Sequence, residues 1–327
     1  MDRRAVIAGA LALLVAPRAG PAQQARKLYR IGYLGSTSNS GHHARLVDAF
    51  RRGLRDLGYV EGEHLVIEYR WAEGRYERLP ELAAELVRLP VDVLVTHGTP
   101  GSRAAKQATA AIPIVMAISG DAVATGLVTS IARPGGNLTG STFFFPELMA
   151  KRLELLKEAI PRAGRMAAFG NADNQATAPA LKAMELMARA LRVDLEAVQI
   201  RGPDEFAIAF SAMARRQVDG AVVIDDPMLI ATARQLAELA TKNRIPTIGD
   251  RAHAEAGGLL AYGVNLPEFW RHAAVFVDKI LKGASPGGLP IEQSTKFELL
   301  INLKTAQALG LTIPPSLLLR ADQTIGP

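Results

Sequence analysis

From residue 28 onward the sequence alternates short apolar runs with amphipathic stretches, and this rhythm limits the fold more than any other feature. The runs 29–34, 65–71, 91–95 and 112–118 have strand length, with turn residues at their borders. After the first, Leu46, Val47, Phe50, Leu54 and Leu57 recur at helical spacing and stop at Gly58. Residues 65–71 alternate apolar and polar, so that strand has one wetter face. The second half repeats the scheme. Strands are expected at 165–169, 195–200, 220–224, 246–248 and 258–262, with helices at 148–160, 178–191, 204–215 and 228–241. Alternating strands and helices predict an α/β fold whose parallel sheets are covered on both faces. The 327 residues exceed one typical domain, so two Rossmann-like lobes with separate cores are expected.

In open α/β sheets, ligands bind outside the carboxyl ends of the strands. Those ends carry Ser36, Thr37, Thr99, Ser119 and Asp121 in the first half, and Asn171, Asp173, Asp225, Asp226 and Asp250 in the second. These are short hydroxyls, amides and carboxylates. A cleft lined by them suits a small zwitterion or other polar molecule. Asp121 has two roles open, capping a helix that begins near Ala122 or accepting from a ligand. Asp225 and Asp226 point in different directions at a strand end, so one is expected to cap its loop and one to accept from a ligand ammonium.

The motifs of catalysis are missing. Gly135 and Gly140 have P-loop spacing, but Ser141-Thr142 stands where the phosphate-binding lysine belongs, so residues 135–140 read as a turn. The six histidines form no His-Glu-x-x-His, and there is no Gly-x-Ser-x-Gly elbow. His97, at a strand end, could contact ligand, but it lacks a partnered nucleophile in the sequence and reads first as structural. Without cysteine, disulfides, thiolate metal sites and a thiol nucleophile are excluded. No enzyme activity, metal or cofactor is expected.

Arg3-Arg4, the apolar stretch 5–16 and the small residues Gly20 and Ala22 read as an export signal. Cleavage is expected after Ala22 or Ala25, by the general or the twin-arginine route, giving a periplasmic protein without a membrane span. The formal charge of +6 falls in part on Arg3, Arg4 and Arg18, and the other basic residues are dispersed, so nucleic acid is not an expected partner.

Several phrases now carry a resemblance: "IGYLGSTSNS", "IPIVMAISGDAVATGLVTSIARPGGNLTGST", "GGLLAYGVN", "KILKGASPGGLPIEQ" and "FELLINLKTAQALGLTIPPSLLLRAD". Over residues 29–325 the chain resembles the exported substrate-binding proteins of ABC transporters, of the tryptophan/tyrosine type. One departure is Asp121-Ala122, where such proteins often have Asp-Pro.

The resemblance implies the type I periplasmic binding protein architecture, with a ligand cleft between hinged lobes. Crossings would lie near 142–146, 262–266 and between 289 and 297. The signal would then be 1–25, lobe one 26–143 plus about 264–290, and lobe two 144–263 plus about 291–327. It also implies that Ser36, Thr37, Thr99 and Ser119 bind a ligand carboxylate, with Asp226 or Asp250 taking an ammonium. Tyr262 and residues 143–145 would lie near the crossings, and could stack on an apolar ligand part or pack the hinge. The expected protein is a monomeric solute-binding component that delivers a small polar or amino-acid-like molecule to an inner-membrane ABC permease. A periplasmic sensor docking to a receptor is the alternative.

Overall fold

The computed structural model describes residues 28–326. The expected export signal lies outside them. The first unit runs β1 (Tyr29–Gly35), α1 (Gly41–Asp56), β2 (Leu65–Trp71), α2 (Leu79–Arg88), β3 (Val93–Thr96), α3 (Gly98–Ala108), β4 (Ile114–Ser119) and β5 (Leu138–Phe143). The second runs α4 (Phe145–Ala159), β6 (Arg165–Asn171), α5 (Thr177–Leu191), β7 (Asp194–Ile200), α6 (Phe206–Arg215) and β8 (Gly220–Val223). It continues through α7 (Pro227–Ala231), α8 (Ala233–Lys242), β9 (Thr247–Gly249), α9 (Arg251–Glu255) and β10 (Leu260–Gly263). The C-terminal part adds α10 (Leu266–Leu281), β11 (Glu292–Ser294), β12 (Glu298–Asn302), α11 (Leu303–Leu309), α12 (Pro315–Leu318) and β13 (Gln323–Ile325).

Two sheets result. The first has the order β11-β5-β4-β3-β1-β2 and is parallel throughout. The second has the order β13-β12-β10-β9-β8-β6-β7, with β10 and β12 antiparallel and the other pairs parallel. In each, the order in which strands are added reverses beside the first strand of the unit, between β1 and β3 and between β6 and β8. Such switch points open a crevice at the carboxyl edge.

The chain passes between the sheets three times, at 143–145, 263–266 and 294–298. β11 therefore carries 292–294, expected in the second lobe, into the first sheet. Helix α10 returns to the first lobe because Trp270, Ala273, Ala274, Val277 and Ile280 form one apolar stripe, all buried. The Trp270 Nε1–H donates to the buried Tyr33 hydroxyl at 2.9 Å, fixing α10 over β1.

Three local expectations need correction. Residues 135–140 are not wholly a turn: Gly140 lies within β5 at φ 131°, where a Cβ would come within 2.1 Å of the Met116 carbonyl oxygen. The glycine that reads as a turn signal instead lets two parallel strands approach. The expected helix 228–241 is two helices broken at Thr232, whose hydroxyl donates to the Met228 carbonyl at 2.8 Å. After Asp121 the chain makes a capped turn and no helix. Among the described residues, no helix is long and apolar enough to cross a membrane.

Candidate functional site

The loops at the two switch points face each other and enclose a cavity of about 60 Å³. The first lobe contributes His43 and Leu46 of α1, the His97-Gly98-Thr99 start of α3, and Ile118, Ser119 and Gly120 after β4. Phe143, Phe145 and Leu266 at the crossings, with Trp270, add apolar surface. The second lobe contributes Asn174 and Ala176, then Asp225 and Asp226 after β8, with Pro227, Ile230 and Ala231.

The first wall is a stack of uncharged rings above two hydroxyls. The His43 and His97 rings lie 4.4 Å apart, and Trp270 packs against both. Burial, followed by the neighbouring His42, lowers His43 to about 4. Burial, followed by His43, holds His97 well below the usual imidazole value. The His97 Nε2 accepts from the Ser36 N–H at 3.3 Å, so the neutral ring carries its proton on Nδ1. Thr99 Oγ1 and Ser119 Oγ lie 3.2 Å apart. The N-cap of α3 is His97, whose side chain makes no capping bond. Among the described residues, no side chain accepts from the first N–H groups of that helix at the cavity edge.

On the second wall the carboxylates are already engaged. Arg152, fully buried, meets Asp225 in a two-pronged pair at 2.6 and 3.0 Å. Its Nε also donates to the Tyr262 carbonyl at 2.7 Å, and its Nη1 to the Val223 carbonyl at 3.0 Å. Asp226 caps α7, accepting from the N–H groups of Met228 and Leu229 at 2.9 and 3.2 Å. It also accepts from Asn174 Nδ2 at 2.9 Å and the Tyr76 hydroxyl at 3.0 Å. Burial raises the pKa of Asp226, and the bonds from Asn174 and Tyr76 oppose that rise.

Of the site residues read from the sequence, Thr99, Ser119, Asp225 and Asp226 line the cavity. The other seven lie behind or beside it. The Ser36 hydroxyl donates to the His97 carbonyl at 3.3 Å, and Thr37 is buried in the same loop. Asp121 caps its own turn through the N–H groups of Val123 and Ala124. Asn171 accepts from the Asp173 N–H and faces Asp226 at 3.4 Å. Asp250 caps α9 through Ala252 and His253, with its carboxyl pushed up to about 7 by burial and by Asp225. Tyr262 packs its ring on Phe297, 5.7 Å between centroids. Sequence reasoning missed His43, Trp270 and Arg152. His43 does extend the stripe of Leu46, Val47 and Phe50 toward the helix start, a visible signal.

Paired sheet-based units, linked by three crossings around a cavity at both switch points, define the type I periplasmic binding protein fold. Residues 40–325 match the family model described as ABC transporter substrate binding protein, and the chain belongs to that family. A tyrosine-binding protein of Clostridioides difficile (strain R20291) is 26% identical over 263 residues, 80% of this chain and 75% of the relative. The ABC domain from Streptococcus pneumonia in complex with L-Trp superposes with a TM-score of 0.84 at 24% identity, covering 91% of this chain and all of that one. A ligand-free, open substrate-binding protein from Clostridium difficile, also 24% identical, gives 0.63 over 92% of this chain and all of that one.

Proposed function

We propose that this protein is the exported solute-binding component of an ABC importer and captures an amino-acid-like molecule with an apolar side chain by lobe closure. The observation that carries the reading is the cavity's two-sided chemistry. Hydroxyls and a helix N-terminus stand on one lobe, a carboxylate on the other, and apolar rings lie between. The ligand carboxylate would bind the N–H groups of Gly98 and Thr99 with the hydroxyls of Thr99 and Ser119. The ammonium would bind Asp225, whose oxygens Arg152 orients, and the side chain would lie against His43, His97 and Trp270. Asp226 and Asp250 are left as caps of α7 and α9.

Volume adds a condition. About 60 Å³ is small for an amino acid, so the lobes or the lining side chains would give way as one enters. The lobes already meet across the cleft, where the Tyr76 hydroxyl lies 3.0 Å from Asp226, which supports a closed arrangement here. Ligand would stabilise that arrangement, and a permease would recognise it.

The test is a thermal-shift screen of refolded mature protein with L-tryptophan, L-tyrosine, L-phenylalanine and L-leucine, each beside its decarboxylated amine and its deaminated acid. Ligand at a hundred times its dissociation constant adds about 2.7 kcal/mol, a shift of several degrees. The zwitterions should stabilise and the one-ended analogues should not. Equal shifts from an amine and its parent amino acid would sink the carboxylate assignment.

A further inference from the structure

Away from the crossings, the lobes meet at a buried contact outside the proposed ligand contacts. Tyr76 begins a single 3₁₀ turn (Tyr76–Arg78) after β2, in the first lobe. Its hydroxyl reaches across the cleft to Asp226 in the second lobe, 3.0 Å from each carboxylate oxygen. The same oxygen accepts from the Met228 N–H at 3.1 Å. Tyr76 is 9% exposed and Asp226 1%, so these bonds are withdrawn from water.

The position of the pair is as telling as its geometry. Asp226 lines the inner cavity. Tyr76 lines a separate groove of about 510 Å³, together with Arg103, Gln107, Asp173 and Gln175. The Tyr76–Asp226 bond is therefore part of the partition between the two. Nearby, Met228 Cγ lies 3.7 Å from where a Cβ on Gly74 would stand, so the lobes are in close contact around it. Asp226 itself is preorganised, because Asn174 and the two cap N–H groups hold it from within its own lobe. Among the described residues, only the tyrosine comes from the other side.

We propose that Tyr76 is an affinity-determining latch, which bonds Asp226 when the lobes shut and so favours the closed state without touching the ligand. Its effect on affinity rests on the solute-binding reading; its effect on closure does not. A hydrogen bond to a charged group is worth a factor of roughly ten to a hundred in an equilibrium constant. Apparent affinity scales with the population of the binding-competent state.

The experiment measures closure directly and needs no identified ligand. The chain has no cysteine, so Glu81→Cys and Asp204→Cys place one spin label on an exposed site of each lobe. Pulsed dipolar spectroscopy on the full mature chain then gives the interlobe distance distribution for Tyr76 and Tyr76→Phe. The expected result is a ratio of short to long distances that Tyr76→Phe reduces about tenfold, with the melting temperature within a degree or two. The phenyl ring keeps its packing, and Asp226 keeps its other donors. Asp226→Asn, which still caps and still accepts from the hydroxyl, should fall between the two. Identical distributions for Tyr76 and Tyr76→Phe, both wholly open included, would overturn the latch. So would a loss of the short distance accompanied by a drop of many degrees, because Tyr76 would then be packing its own lobe. If no amino acid binds yet the distances shift, the ligand assignment fails and the latch stands.

Discussion

On the first lobe's side, the cavity meets rings and hydroxyls whose bonding capacity is only partly used. On the second lobe's side, it meets carboxylates held by an arginine, two asparagines and helix N–H groups. Both walls are buried, so each has had to deal with polar atoms removed from water. The first does so by keeping its histidines neutral, the second by pairing its charge. A neutral wall can accept a charged group from outside, whereas a paired wall is rigid and specifies position. The contrast assigns adaptability to lobe one and orientation to lobe two.

The sharpest way to break the paired wall is to remove Arg152. Arg152→Met would leave the Asp225 carboxylate beside Asp250 without its cation, and orphan the Tyr262 and Val223 carbonyls. Breaking a buried pair from one side costs about 3–5 kcal/mol, readable by denaturant titration. Adding Asp225→Asn should restore part of the loss. If Arg152→Met alone leaves stability unchanged, charge pairing is not what organises this wall.

The neutral wall predicts acid sensitivity. His43 is lowered to about 4 from an ordinary 6.5. The unfolded chain therefore takes up its proton first, and stability falls as pH drops from 6.5 toward 4. The loss is about 1.4 kcal/mol per pH unit per such histidine, or on the order of 3 kcal/mol for His43. His97 and the buried His253 shift in the same direction and steepen the slope. Asp250, raised to about 7, takes up its proton in the folded state first and gains stability over the same window, so the histidine contribution is read as the difference between the wild-type profile and that of His43→Gln. The wild type should lose stability relative to His43→Gln as pH falls; parallel profiles would mean that His43 is already charged or hydrated.

Gly98 is where the two walls touch. It has φ +70°, and a Cβ there would lie 2.6 Å from Pro227 Cγ across the cleft. Gly98→Ala should cost about 1–2 kcal/mol for the left-handed backbone and weaken ligand binding at least about tenfold by obstructing closure. Adding Pro227→Ala should recover affinity but not stability. Recovery of both, or of neither, would place the clash elsewhere.

Much of the architecture was legible in the sequence, because parallel strands buried on both faces read as apolar runs and their helices as periodic stripes. β5 was not, since Leu138–Phe143 is rich in hydroxyls and glycine although every residue in it is buried. At the site, Thr99 and Ser119 follow from the rule that ligands gather at strand ends. The carboxylates do not follow. Asp225 and Asp226 are neighbours whose fates differ because Arg152, 73 residues away, reaches one and α7 begins at the other. Helices α7 and α9 have five residues each, too short for periodicity to show that Asp226 and Asp250 are caps. Trp270 reaches the cavity only because the chain crosses back to lobe one, which local pattern does not encode.

The smallest expected effect is also the most discriminating for the first wall. Ser119→Ala removes one of two hydroxyls 3.2 Å apart and leaves Thr99 in place. The lost neutral hydrogen bond should change stability by no more than about 1 kcal/mol. If a ligand carboxylate binds there, affinity for the amino acid should fall roughly fivefold to tenfold, since an ionised partner makes the bond stronger. Calorimetry on the amino acid and on its methyl ester separates the cases. Loss for the acid alone puts the carboxylate at the start of α3. Equal loss for both would make Ser119 a packing contact and shift the anionic end of the ligand to another part of the cleft.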